Sequence, residues 1–302
     1  MGVSLGLMID RIRIAGIGLT KEQYHLALMQ LPEIASLSNG ILKSGKVKYS
    51  LKSYVHAVNY GNGPLQSIAR LEIGSTKSQH CYLAWELWPH RLRGSDFRGF
   101  HDLVQLLLPS PVYSYPFAYE FGRVSKLELA YDTLSIAMHS FIPWVDRVQT
   151  SDIYTEPGYQ GTIYLGAEKS NARFAIYDKA KKLSDTKQTA PFSRQTRIES
   201  KLRKLKIAPS ELHLIPNPFT RLQVADAIDC KQLTNSPDWQ EFVCQAQTVG
   251  AQQAFSGLSK STRKQFKNNL IQCKSSWWQP ESAFQGLASA LHKITPSFAY
   301  SS

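Results

Sequence analysis

Apolar and polar positions alternate along several short stretches of the chain. MIDRIRIA, residues 8–15, has this period-two pattern and predicts a first strand. The same pattern predicts strands in VKYSLKSYVHAVNYG (47–61), ARLEIGS (69–75), CYLAWELW (81–88), VSKLELAYD (124–132), GTIYLG (161–166) and ARFAIYDK (172–179). TRIESKLRKL (196–205) predicts a strand, or a strand leading into a helix. Elsewhere the spacing is helical. Thr20, with Gln23 three residues on, has the form of a capping box and predicts a helix to about Leu31. Ser95 precedes Phe97, Phe100, Leu103, Val104 and Leu107 and predicts a helix over 95–108; another is expected over 136–149. Gly61-Asn62-Gly63-Pro64 predicts a turn, and Pro209, Pro216 and Pro218 break the chain. No internal repeat is apparent. After Ser236 strand signals give way to helix formers. The pattern therefore predicts an α+β fold, with a central largely antiparallel sheet and flanking helices over residues 8–230. A small, basic, helical C-terminal segment follows at 237–302, its helices ending near 292.

Period two also sorts side chains by face. Leu127, Leu129 and Tyr131 share one face of their strand, and Glu128 and Asp132 the other. Trp85 and its apolar neighbours oppose Glu86. Ile198 and Leu202 oppose Arg197, Glu199 and Lys201. Phe174 and Ile176 oppose Arg173, Tyr177 and Lys179. In one sheet, the second face would gather Glu86, Glu128, Asp132, Glu199, Tyr177 and Lys179. A half-solvated sheet with a polar outer face would show the same pattern.

Charge separates these readings. The chain has 302 residues, 35 Lys plus Arg against 23 Asp plus Glu, and a formal net charge of +12. Such an excess favours a polyanionic partner, nucleic acid before an acidic membrane surface. Twelve Lys or Arg and four Asp or Glu fall between residues 161 and 206. Lys169, Arg173, Lys181, Lys182, Arg197, Lys201 and Arg203 are thus candidate DNA contacts. Lys260, Arg263, Lys264 and Lys267 are further candidates, in a stretch (260–274) without an acid. No uninterrupted apolar run is long enough to span a membrane. MGVSLGLMIDRIRI lacks the form of a signal peptide, and Met8 is an alternative start. The four cysteines form no C-x-x-C pair and read as reduced thiols in a cytosolic protein. His80, His90 and His101 read as structural or surface residues.

A carboxylate cluster within a basic surface suits Mg²⁺ or Mn²⁺, which take oxygen ligands, with the cation polarising a phosphodiester held by Lys and Arg. A tyrosine on that face could be the nucleophile, and Lys179 could favour its phenolate. Tyr177 and Tyr164 both lie on polar faces. Tyr177 has Arg173 and Lys179 beside it, whereas Tyr164 has Thr162 and Gly166.

The order of these segments resembles rolling-circle replication initiators of the Rep-trans type and the gene II initiators of filamentous phages. VSKLELAYD is similar to the family's Arg-x-Asp-x-x-x-Asp strand, with Lys126 in place of Arg and Glu128 in place of the first Asp. GTIYLGAEKSNARFAIYDKAKK is similar to its Thr-x-Tyr-x-Gly-x-x-x-Ser hairpin ending in Tyr-x-Lys. TRIESKLR is similar to its Arg-x-Glu strand, and CYLAWELWPHRL, more weakly, to an earlier strand bearing one Glu. The resemblance covers roughly residues 8–220. It implies a metal-dependent, origin-specific nickase whose tyrosine becomes linked to a 5′-phosphate. Tyr177 would be that tyrosine, and Glu128 and Glu199 metal positions; on the face pattern, Glu86 or Asp132 completes the oxygen site and Lys179 is the helper beside the tyrosine. Double- and single-stranded origin DNA, a host helicase and a second copy of the chain would be partners, in the host cytoplasm. A non-catalytic DNA-binding protein on the same fold is the alternative, and an RNA-binding sheet a third reading.

Overall fold

A computed structural model describes residues 4–37, 41–46, 53–61, 67–76, 80–146, 150–156, 159–185 and 192–297. Most of the turn expected at 61–64 and part of the helix expected over 136–149 lie outside these residues. The fold is α+β, with antiparallel strand pairing, flanking helices and a helical segment toward the C-terminus. Its chain forms two compact units.

The first unit comprises Met8–Glu128, Arg203–Ile215 and Leu287–Ser302. Strand β1 (Ser4–Leu19) bulges between Ile14 and Ile17, where Gly16 takes φ +87°. Helix α1 (Lys21–Leu37) begins with the predicted capping box: the Gln23 amide donates to Thr20 Oγ1 (3.1 Å), and the Thr20 amide to Gln23 Oε1 (2.9 Å). It continues through Pro32, because Leu31, Ile34 and Ala35 bury on the core side. A meander follows, β2 (Ile41–Lys46), β3 (Ser53–Gly61), β4 (Ser67–Thr76) and β5 (Cys81–Leu87), then α2 (Gly94–Leu107), α3 (Tyr115–Phe121) and β6 (Arg123–Leu134). The strand order is β2-β3-β4-β5-β1-β6. Trp85 is fully buried between Phe100 and Tyr115, each 5.6 Å away in edge-on contact. The Tyr115 hydroxyl donates to the Ile294 carbonyl (2.7 Å), which ties the end of the chain to this unit.

The second unit comprises Met1–Leu7, Leu129–Leu202 and Pro216–Gly286. It holds β7 (Phe141–Val145), β8 (Ser151–Glu156), β9 (Tyr159–Leu165), β10 (Ala172–Asp178), α4 (Lys179–Asp185), β11 (Gln195–Ile207) and β12 (Leu222–Asp226). Helices α5 (Ala227–Leu233), α6 (Pro237–Thr248), α7 (Ala251–Ser256), α8 (Lys260–Gln272) and α9 (Pro280–Phe284) follow; α10 (Leu287–His292) belongs to the first unit. The helix expected over 136–149 is instead a short 3₁₀ turn and β7, which pairs with β12. Its run FIPWV is buried throughout, so no polar face remains to reveal the period. Pro143 is tolerated because β7 belongs to a two-stranded sheet. The compact units do not divide near residue 230. Trp239, Phe242 and Phe266 from the C-terminal helices pack with Ile142, Trp144 and Ala225 in one core, and the Trp239 indole donates to the Cys230 carbonyl (2.7 Å).

One strand plan occurs twice. In the first unit, β1 is followed by the meander β2-β3-β4-β5, and β5 returns to pair with β1. In the second, the end of β6 from Leu129 onward is followed by β8-β9-β10-β11, and β11 returns to pair with it. The repeat is therefore one of topology, which the sequence does not display. Among the described residues, no helix is long and apolar enough to cross a membrane.

Candidate active site

The hairpin β9–β10 and strand β11 build the site. Gly166 closes the hairpin at φ +104°, where a Cβ would crowd the Ala172 carbonyl at 3.2 Å. Its amide donates to Thr150 O (3.0 Å). Ser170 Oγ bonds the carbonyls of Ala167 (2.7 Å) and Ala172 (2.6 Å). The glycine and serine of the Tyr-x-Gly-x-x-x-Ser pattern thus shape the turn and set the register. Tyr177 then lies opposite Thr162 on one side and Arg197 on the other, while Ala175 lies opposite Tyr164 and Glu199.

Glu199 therefore sits diagonally across from Tyr177, with small Ala175 between the neighbouring strands. The Tyr177 hydroxyl donates to Glu199 Oε1 at 2.5 Å, and Lys201 Nζ is 3.0 Å from Glu199 Oε2. Tyr177 is 5% and Glu199 3% exposed. Burial alone would raise the Glu199 carboxyl. The Lys201 charge, hydrogen bonds from Tyr177 and Lys201, and the Arg197 charge outweigh it and hold the group below the usual glutamate value. The ammonium of Lys182 stands 4.2 Å from the centre of the Tyr177 ring. Tyr177, Glu199 and Lys201 line a cleft of about 320 Å³ together with Lys181, Lys182, Asp178, Asp185, Tyr154 and Tyr164.

Lys179 is not on the strand. β10 ends at Asp178, whose carboxylate accepts from the Lys181 amide (2.9 Å) and caps α4, and Lys179 opens that helix. Lys179 does not line the cleft; the cation over the phenol ring is Lys182. Arg173 lies over the Tyr164 ring at 3.9 Å and meets Asp152 at 3.3 Å. Lys169 sits in the β9–β10 turn and Arg203 on the later part of β11.

The remaining carboxylates of the predicted cluster each engage a cation. Asp132 accepts from Arg197 Nε (2.6 Å) and Nη2 (2.7 Å), and from Gln195 Nε2 (2.8 Å), in a fully buried bidentate pair. Glu86 and Glu128 belong to the first unit. Arg11 Nε donates to Glu86 Oε1 (2.7 Å), and Lys126 Nζ is 3.4 Å from Glu128 Oε1. Against its burial, Arg11 and then Lys126 and Arg70 hold Glu86 below the usual carboxylate range. Among the described residues, no three His, Cys, Asp or Glu side chains are grouped to hold a metal. Glu86, Glu128, Asp132 and Glu199 are thus each engaged by a guanidinium, ammonium or phenol group.

On α8, Lys260 and Lys264 are exposed. Lys267 pairs with Asp146 (2.9 Å), and Arg263 donates to the Phe255 (3.1 Å) and Leu258 (3.2 Å) carbonyls, so it fastens α8 to the end of α7. Sequence reasoning missed Tyr154 and the partners Arg11 and Gln195. Tyr154 had no strand prediction around it, and cross-strand partners depend on register.

No family model matches the sequence, and no curated protein matches it. A solved structure titled the rolling circle replication initiator protein from Geobacillus stearothermophilus is similar over 82% of this chain and 98% of that one. The TM-score is 0.41 and the identity 13%, a likeness that assigns no activity to this chain.

Proposed function

We propose that the chain initiates DNA replication by nicking and rejoining one strand at an origin, with Tyr177 as nucleophile and Glu199 as its general base. The observation that carries this reading is the Tyr177–Glu199 hydrogen bond in a cleft with Lys181, Lys182 and Lys201. The sequence resemblance supplies the substrate class. The phenol oxygen attacks phosphorus, and its proton passes to Glu199 Oε1. The bond from phosphorus to the 3′ oxygen breaks, leaving a 5′-phosphotyrosine, and the departing oxygen takes a proton from water. Rejoining is the reverse. Lys182 beside the ring and Lys201 behind the carboxylate favour developing negative charge. A divalent cation rests on the carboxylate pattern of the sequence and on the resemblance, so assays belong both with and without Mg²⁺ or Mn²⁺.

The test is a supercoiled plasmid carrying the DNA that flanks the gene. Relaxation with a covalent protein–DNA adduct supports the reading. Tight binding without an adduct selects the non-catalytic alternative.

Glu199→Gln tests the base. Glutamine still accepts from the phenol but cannot take its proton, so nicking should fall by about 10²–10⁴-fold with DNA affinity kept. The sign of the pH effect follows from the depressed carboxyl. The base stays ionised above its lowered pKa, and activity is lost only as pH falls through that value, below the usual glutamate range. This acid limb should vanish in the variant. A variant as active as wild type would remove Glu199 from the mechanism.

A smaller effect is expected on α8. Neutralising Lys260 and Lys264 should lower the log–log salt slope of DNA binding by roughly two units if both meet phosphates. An unchanged slope would mark a solvated basic face.

A further inference from the structure

The cleft holds three cations, Lys181, Lys182 and Lys201, and three carboxylates, Asp178, Asp185 and Glu199. Formal charge cancels there, so phosphate attraction alone does not hold a strand over Tyr177. The aromatic side chains of the same wall supply another kind of contact. Tyr154 lines this cleft and also the adjoining one, which Tyr164 and Arg173 share. It stands on β8, the edge strand of the second unit's sheet, opposite Thr162, at a point where the β8–β9 register slips. Such bulges re-aim side chains. Tyr154 is 62% exposed, unusual for a large ring on an otherwise packed wall. It is held in place all the same: Tyr164 meets it edge-on at 5.7 Å with planes at 90°, and the Arg173 guanidinium lies 3.9 Å over Tyr164. An exposed ring fixed by a second ring and a guanidinium, at the mouth of a charge-neutral cleft, is what an unpaired base needs.

We infer that Tyr154 is a base-stacking platform, and that the strand entering the cleft is single-stranded at this point, with a base near the scissile phosphate laid on the Tyr154 ring. The inference deepens the nicking reading and rests on it for the position of the phosphate. Base pairing would bury the ring-facing surface inside the duplex stack, so a duplex should not use the platform.

The test uses the full chain carrying Tyr177→Phe, so that only binding is measured. The probes are an oligothymidine strand, the same strand made abasic, and a duplex. Adding Tyr154→Ala should weaken oligothymidine binding about tenfold, the scale of one base–aromatic stack. Abasic and duplex binding should not change. Tyr154→Trp should keep oligothymidine affinity, and Tyr154→Leu, with bulk but no π face, should behave as Ala. Equal losses on oligothymidine and abasic strands, or no loss on oligothymidine, would overturn the platform. Because no cleavage is read, the two ideas fail separately. An active nickase whose oligothymidine binding ignores Tyr154 refutes the platform alone. A protein that never forms an adduct, yet shows the predicted pattern, refutes the nickase alone.

Discussion

Tyr177→Phe is expected to abolish the covalent adduct and to lower nicking by several orders of magnitude, while DNA affinity stays close to wild type. Phenylalanine keeps the ring, its packing and the Lys182 contact at 4.2 Å, and removes only the attacking oxygen. It also removes one donor to the buried Glu199 carboxylate. The variant should therefore lose about 1–3 kcal/mol of stability, the usual range for stripping a partner from a buried polar group. Tyr164→Phe provides the control, since Tyr164 lies opposite Ala175 and its ring is engaged by Arg173 at 3.9 Å. Mass-spectrometric mapping of the DNA-linked peptide decides between them. An adduct on any residue other than Tyr177 would end this assignment.

Arg197→Ala is expected to cost about 3–5 kcal/mol, because it strands the Asp132 carboxylate, 2% exposed, with the neutral Gln195 amide still donating to it. The charge was desolvated on folding, and two charge-assisted bonds at 2.6 and 2.7 Å compensate it. Removing both partners should cost much less. Asp132→Leu with Arg197→Met replaces a buried ion pair by apolar groups of similar size, and such exchanges are often near neutral. Urea unfolding of the two single variants and the double variant gives the coupling directly. A single-variant loss below about 1 kcal/mol would mean that the pair does not hold β6 to β11 in this unit, and would return Asp132 to consideration as a metal position.

The strands that matter were legible because polar and apolar side chains alternate along them, although β10 and β11 bury both faces near the site: period two places Tyr177, Arg197 and Glu199 on the polar side of their strands. Their partners were not legible. Which carboxylate meets which cation depends on register, and register is fixed here by the Gly166 turn and by which strands are neighbours. Thus Asp132 reads as a ligand in the sequence and as an arginine partner in the fold. Lys179 was misplaced by one element, because Asp178 can end a strand and cap a helix at the same residue. β7 was misread as helix because a fully buried run carries no period. The repeated strand plan was hidden for a related reason. β4 and β10 occupy the same place in the two meanders, yet Gly74 lies opposite Tyr82 in one and Tyr177 opposite Arg197 in the other. A Cβ on Gly74 would fall 2.3 Å from the Tyr82 ring, so the same topology carries incompatible side chains.

The burial of the Tyr177–Glu199 pair bears on how a broken strand is closed again. Under the proposed chemistry the carboxylate that accepts the phenol's proton is 3% exposed and flanked by Lys201 at 3.0 Å. Lys201 and Arg197 keep that carboxyl more acidic than a free glutamate, so the proton passes on to solvent and the carboxylate is restored while the strand is held as a phosphotyrosine ester. When the 3′ oxygen returns to phosphorus, the leaving phenolate is protonated through Glu199, which draws the proton back from solvent. Opening and closing the backbone then form a cycle that resets the base each time, and the energy of the phosphodiester is carried in the ester rather than spent.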